Sequence, residues 1–465
     1  MPPLPALLFS TVFLLLAPLA TPYLLPAPQA NLQSTVVLLL SLVSLSASNP
    51  LELSEIPEIC EEPRKLRVSL EAPLNTTNSY SLVAANLALA LAKRRDVEVS
   101  LHKLPNYSES WPAEAYADVF REDQNALLGS LPRSDLTEGW AEEADVTLRV
   151  NMNFGPPLKG GKLAVLATTE RGYLAQEAIA GDVPLADLDG VLVAPTEWAK
   201  GGFVASGREE VKVVPHGVDV TTFFPLPAET RLSLRQQAEW ASSFVFLHVS
   251  SMTDNKNVEL ILEVFRDVAY RFEGVKLVLK GNDALYSSRE RLLRMDGYRE
   301  LEDAGLVEYY GDDLSNVGIA QMQQLADVYL APYKYEGFNL PVLEAMACGT
   351  PVIVSAGGST DDFVGGDEWK VETRVDVFEG VQLVSKQLEG KEPGAFQVEE
   401  LGEGWYVKAT TRELLVDRDD LYEKMVAAVK GGGGGEGERA RRAGRVRAEY
   451  SWDVVAERIL EELLA

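Results

Sequence analysis

Two carboxylates eight positions apart, Glu336 and Glu344, lie in the stretch with the clearest chemical content. It reads Tyr335-Glu336-Gly337-Phe338-Asn339-Leu340-Pro341-Val342-Leu343-Glu344-Ala345-Met346-Ala347-Cys348-Gly349-Thr350-Pro351. Pro341 suits the first turn of a helix and Gly349 suits its stop. The backbone N–H groups of Gly337, Phe338, Asn339 and Leu340 then gather at a helix N-terminus, a ready seat for an anion such as a diphosphate. Glu344 falls in the first turns of that helix, on the side a bound ribose reaches, and Glu336 precedes the loop, placed to bond sugar hydroxyls. Taken as a pair alone, the two acids read more readily as a capping acid plus an exposed loop acid.

Such a loop needs a scaffold, and the chain alternates short β-rich runs with helical stretches. Leu66–Leu70, Val97–Leu101, Val146–Val150, Leu163–Ala167, Val191–Ala194 and Val211–Val214 form a first series of strands. The second runs through Phe244–Val249, Val275–Leu279, Val307–Tyr310, Val328–Ala331 and Pro351–Val354. Between its first two strands, Val258, Ile261, Leu262, Phe265, Val268, Ala269 and Phe272 recur at helical spacing. Buried strands alternating with helices predict an α/β protein with two Rossmann-like domains, residues 64–224 and 240–448, facing each other across a cleft. Phe223 to Glu239, with Pro225 and Pro227, links them. Gly366 to Glu413 shows no clear period, Gly431–Gly435 reads as a flexible spacer, and the basic stretch Arg439–Arg447 as a solvated helix face. Residues 449–465, with Trp452, Val455, Ile459, Leu460 and Leu463 as an apolar stripe, suit a last helix.

The 465 residues carry 43 basic and 70 acidic side chains, a net charge of −27 that repels phosphate backbones, so nucleic acid is excluded as the main partner. Two cysteines and three histidines make a metal centre of those ligands improbable. Residues 1–51 carry no charge and contain two apolar runs, Leu4–Leu25, broken by Pro5, Pro18 and Pro22, and Thr35–Leu45. Leu7–Leu19 reads as the core of a signal sequence or anchor, although the usual positive n-region is missing. The expectation is targeting to the secretory and endomembrane system, with membrane attachment through residues 1–51; plastid or cytosolic placement is the alternative. Sequons at Asn75 and Asn106 add slight support.

The string from Tyr335 to Pro351 resembles the E-x7-E signature of retaining glycosyltransferases with the GT-B fold, specifically glycosyltransferase family 4. Val214-Pro215-His216-Gly217-Val218-Asp219 with Phe224-Pro225 is similar to that family's strand before the interdomain link. Val249-Ser250-Ser251-Met252-Thr253-Asp254-Asn255-Lys256-Asn257 is similar to its phosphate loop, and Tyr450-Ser451-Trp452 to the start of its closing helix, which crosses back to the first domain. The resemblance implies that Glu344 holds the ribose hydroxyls and that Glu336 holds sugar hydroxyls. It also implies that the amides of Gly337, Phe338, Asn339 and Leu340 contact sugar and phosphate, and that Lys256 neutralises the leaving diphosphate. The reaction implied is metal-independent transfer of a hexose, with retention, from a nucleotide sugar, a substrate rather than a cofactor, to a glycan, lipid or small-molecule acceptor. Hydrolytic retaining enzymes set a nucleophilic carboxylate about 5 Å from an acid; no residue here is an obvious nucleophile.

Departures from the pattern are specific. Ser250-Ser251 stand where the family usually shows Gly-Arg, so one guanidinium is absent near Ser251. Lys280 supplies a second positive charge or is merely a surface residue. His102 matches the family's first-domain histidine poorly. The loop Pro73 to Ser79 offers Asn75 and Thr76 for an acceptor in place of a glycine pair. Glu170, after a strand of the first domain, is a cleft residue or a plain loop acid, and Asp361 and Asp362 read as a helix N-cap. Two other functions fit the same residues: a GT-B phosphorylase or epimerase, and a non-catalytic glycosyltransferase-like nucleotide-binding or scaffold protein.

Overall fold

The computed structural model describes residues 64–74, 78–104, 119–135, 144–171, 185–366, 369–384, 398–400 and 405–464. Expectations for residues 1–51 and both sequons lie outside them. Six strands, β1 (Leu66–Ala72), β2 (Val97–Lys103), β3 (Val146–Val150), β4 (Lys162–Leu166), β5 (Val191–Ala194) and β6 (Val211–Val213), form a parallel sheet in the order β2-β1-β3-β4-β5-β6. A second parallel sheet contains β7 (Phe244–Val249), β8 (Val275–Lys280), β9 (Val307–Tyr310), β10 (Val328–Ala331), β11 (Val352–Ser355) and β12 (Trp369–Val371), in the order β12-β11-β10-β7-β8-β9. The central strands are buried on both faces, which is why they read as runs of Val, Ile and Leu rather than as alternation. Two Rossmann-like domains result. Among the described residues no helix is long and apolar enough to cross a membrane.

Helix Val258–Arg271 follows its sequence period, burying Val258, Ile261, Leu262, Val264, Phe265 and Val268 against the second sheet. Helix Trp452–Leu464 instead buries Trp452, Val455, Ala456, Ile459, Leu460 and Leu463 in the first domain's core, beside Val83, Leu87 and Leu91 of helix Ser79–Ala92. The turn into it is tight. Val218 N–H donates to Tyr450 O over 2.8 Å, and a Cβ on Gly217 would lie 2.7 Å from the Trp452 ring.

The structure corrects two expectations. Gly366 to Glu413 is not featureless: after β12, strands β13 (Thr373–Val384), β14 (Val398–Glu400) and β15 (Trp405–Val416) make an antiparallel sheet in the order β13-β15-β14. Its sequence partners lie some thirty positions apart, so neither strand borrows a hairpin-turn signal from the other. The basic stretch is not simply a solvated face, because Arg439 and Arg442 are buried. Arg439 donates to Gln324 O (3.0 Å) and Thr350 Oγ1 (2.9 Å), and Arg442 to Gly349 O (2.9 Å). Guanidinium groups here satisfy carbonyls at the C-terminal ends of two helices, Gln324 O in helix Asn316–Leu325 and Gly349 O after helix Leu340–Ala347.

In the second sheet the strand order reverses between β7 and β10, so the crevice that takes ligands in such sheets lies outside their carboxyl ends. The loops leaving those ends are Ser250–Asn257 and Pro332–Asn339.

Candidate active site

Those two loops are stitched together before any side chain reaches the cleft. Lys334 N–H donates to Asn255 O (2.8 Å), and Asn257 Nδ2 to Pro332 O (3.0 Å). Ser251 Oγ pairs with Thr253 Oγ1 at 2.7 Å, and Thr253 Oγ1 donates to Asn255 Oδ1 at 2.6 Å. Beneath them sits a histidine that the sequence reading gave no role. His248 Nδ1–H donates to Leu330 O (2.7 Å), leaving Nε2 to accept from Ser250 Oγ (2.7 Å), which in turn accepts from Met252 N–H (3.1 Å). Burial holds His248 neutral, its pKa lowered to about 4. The serine in place of glycine thus braces a turn whose Met252 has a φ of 54°.

This scaffold brings Lys256 and Glu336, 80 positions apart, into a salt bridge, with Glu336 buried. Glu170 reaches the same place from the first domain. Its side chain is exposed to solvent at the cleft edge; desolvation, then the Glu336 charge, raise its pKa, while Lys256 and Arg171 oppose them. For Lys256, desolvation works against the charge, but Glu336 and Glu170 outweigh it and its pKa rises. Arg171 stacks 4.2 Å over the Tyr335 ring. The result is two acids and two bases near one another, of which Lys256 and Glu336 form an ion pair.

Asn339, at φ 76°, turns the chain into helix Leu340–Ala347, which carries Pro at its start. The N–H groups of Gly337, Phe338 and Asn339 have no partner among the described residues. Gly337 is required by contact: a Cβ there would lie 2.0 Å from Thr168 Oγ1 of the first domain. Its carbonyl accepts from Thr196 Oγ1 over 2.9 Å. Phe338 contributes only backbone to the cleft, since its ring is buried between His216 (4.9 Å between centroids) and Phe363 (4.7 Å). Leu340 packs against the first domain's core. Glu344 is half-buried; desolvation raises its pKa to about 7, with Gln323 Nε2 at 3.5 Å opposing weakly.

Other expectations are redrawn. Lys280 is no surface residue: it is buried at the end of β8, donates to Gly281 O, and faces Asp283, Asp312 and Asp313. Desolvation lowers its pKa to about 8. Asp362 does cap a helix, but one in the other domain, accepting from Glu197 N–H (2.6 Å) at the start of helix Glu197–Ala205. Asp361 accepts from Gly357 N–H (2.6 Å) and pairs with Lys370. His102 bonds Ser134 Oγ (3.1 Å) on edge strand β2. Asn75 and Thr76 lie outside the described residues. Arg171, next to Glu170, and His216, in the string from Val214 to Asp219, carry no local signal of a role; only their long-range contacts identify them.

Residues 231–389, which contain Lys256, Glu336 and Glu344, match the family described as Glycosyl transferases group 1. The chain is 27% identical over 179 residues to a GDP-mannose-dependent alpha-(1-6)-phosphatidylinositol dimannoside mannosyltransferase of Mycobacterium tuberculosis, covering 38% of this chain and 43% of that one. It is 27% identical over 235 residues to a D-inositol 3-phosphate glycosyltransferase of Kineococcus radiotolerans, covering 47% and 51%. The chain thus spans about half, or less, of the length of these curated relatives. Among solved structures, Anabaena HepE in complex with UDP and glucose superposes with a TM-score of 0.56 at 15% identity, covering 86% of this chain and 99% of that one. Sucrose-phosphate synthase from Thermosynechococcus elongatus superposes at 0.55 and 15%, covering 85% and 98%. The fold is GT-B, and the family match together with the relatives supports a GT-B glycosyltransferase.

Proposed function

We propose that this protein is a retaining, family 4-like glycosyltransferase that moves a hexose from a nucleoside diphosphate sugar to a glycan, lipid or small-molecule acceptor without a metal ion. The observation that carries the reading is the Lys256–Glu336 pair beside the unpartnered amides of Gly337, Phe338 and Asn339, at the reversal point of the second sheet. Breaking the bond between sugar and nucleotide builds negative charge on the diphosphate. Preorganised N–H donors and an ammonium aimed there lower the barrier, each contact contributing on the order of 3 kcal/mol. Glu336 pairs with Lys256; sugar hydroxyls donating to Glu336 free the ammonium for phosphate. Glu344, within the helix, is placed to accept from ribose hydroxyls.

Two results are expected from calorimetry. UDP or GDP binds equally well with and without EDTA, and complete loss of binding in EDTA overturns the metal-independent reading. Because desolvation raises the Glu344 pKa to about 7, hydroxyl donors that favour its carboxylate lower that pKa on binding. Binding near neutral pH therefore releases protons, and affinity rises with pH until Glu344 is ionised in the free protein. Glu344→Ala weakens donor binding more than it slows transfer and abolishes this proton release. The Ser250-Ser251 replacement favours one rival, a nucleotide-binding protein without turnover. Tight UDP or GDP binding with no sugar released from UDP-glucose or GDP-mannose, acceptors included, marks that case.

Residues 1–51 are proposed to direct the chain to the secretory system and attach it to a membrane. A fluorescent fusion to residues 1–51 then gives membrane-associated, protease-protected signal; diffuse cytosolic fluorescence overturns this.

A further inference from the structure

Strand β15 reaches across to the first domain, beyond the residues that match the family. Arg412 N–H donates to Arg171 O over 2.9 Å. Its guanidinium lies 3.9 Å over the Trp198 ring and donates to Trp198 O. Trp198 Nε1–H in turn donates to Glu170 O over 2.7 Å. Both carbonyls of the Glu170–Arg171 pair are therefore held, one by the Arg412 backbone N–H, which any residue there keeps, and one by the indole on which the Arg412 guanidinium stacks. Gly201 leaves room for this: a Cβ there would come within 3.2 Å of Nη2. Arg412 has no carboxylate partner among the described residues, so an aromatic face and a carbonyl must compensate its charge. From Arg171 the contacts return to the second domain through Tyr335, the residue before Glu336.

We propose that Arg412 is a positioning residue whose clasp on Trp198 and Arg171 sets the Glu170 carboxylate against the Lys256–Glu336 pair. The donor-side amides, Lys256 and Glu344 all belong to the second domain, and of these only Gly337 packs against the segment 164–171, at Thr168. The clasp itself acts on the first-domain wall of the cleft. The turnover part of the inference rests on the glycosyltransferase reading; the structural part does not.

The test uses the full chain. Arg412→Ala is expected to lower sugar release or transfer from UDP-glucose or GDP-mannose by about 10- to 100-fold, as loss of orientation does. UDP and GDP affinities stay within about twofold, a split that general unfolding does not produce. Amide exchange in residues 164–171 rises while that in β7 and β8 does not change. Arg412→Lys behaves like the alanine variant, because an ammonium cannot reproduce the planar stack and fork. Trp198→Phe keeps a ring and removes only the N–H to Glu170, so it reads the same exchange should Arg412→Ala fail to fold. Unchanged exchange in residues 164–171, or turnover and nucleotide affinity falling together, overturns the proposal. If the unaltered protein transfers neither sugar, the catalytic reading fails alone and amide exchange still decides the clasp.

Discussion

Lys256→Ala is expected to cut sugar transfer by about 100- to 1,000-fold, the usual consequence of removing one preorganised contact to a charge that develops in the transition state. The variant also leaves Glu336 and Glu170 facing each other without the ammonium that now separates their charges. Glu170, whose pKa is already raised, then loses the Lys256 charge that opposes the shift, so its pKa rises further and the acid limb of the rate profile moves to higher pH. Glu336→Ala costs at least about tenfold, since it removes the sugar contact but leaves Lys256 free to meet phosphate. Turnover at saturating donor, with pH varied, separates the two variants. Near wild-type rates in both would remove Lys256 and Glu336 from the site.

Between pH 7 and pH 5, buried His248 and partly buried His216 are expected to withdraw up to about 4 kcal/mol of folding stability and Glu344 to return about 2. The signs are opposite because the shifts are. His216 and His248 are held neutral by burial at pKa values of about 3 and 4, below their ordinary 6.5. The unfolded chain binds those protons first, so the stability they confer is full above pH 6.5 and declines as pH falls. Glu344 is raised to about 7 from 4.5, so the folded state binds its proton first and gains stability on the way down. Denaturant titration at the two pH values should show a net loss that becomes about 2 kcal/mol larger in Glu344→Gln. A pH-independent difference between that variant and the parent would refute the burial of Glu344.

Local periodicity made much of this legible. Phe244–Val249, Val307–Tyr310 and Val328–Ala331 begin and end as their hydrophobic runs do, and helix Val258–Arg271 follows its apolar spacing. The loop from Glu336 to Pro341 was readable because glycine, asparagine and proline each serve a local backbone need. What escaped depends on partners remote in sequence. Thr373–Val384 alternates valines at 375, 377 and 381, a strand signal, but its partner starts only at Trp405. Arg439 and Arg442 look like surface charges until the carbonyls of Gln324 and Gly349 are brought to them. Lys280 is buried because Asp283, Asp312 and Asp313 converge on it from the segments that follow β8 and β9. Nothing near position 412 announces that its side chain will lie on Trp198, 214 residues earlier.

Helix Trp452–Leu464 completes a core begun by helix Ser79–Ala92, and Lys93 finds its counterion at Asp453, 360 positions later. A ribosome adding about 5–20 residues per second needs roughly 20–70 s to span that gap. During that interval Val83, Leu87 and Leu91 have emerged but lack the apolar surface that will cover them, while β7 to β12 and their helices are being made. The second sheet draws its own core from residues 246–428 and can mature first. The apolar face of helix Ser79–Ala92 thus stays uncovered until helix Trp452–Leu464 is made. In the cell, that makes the first domain the client of whatever holds nascent chains, and makes loss of the final helix a defect of the opening one.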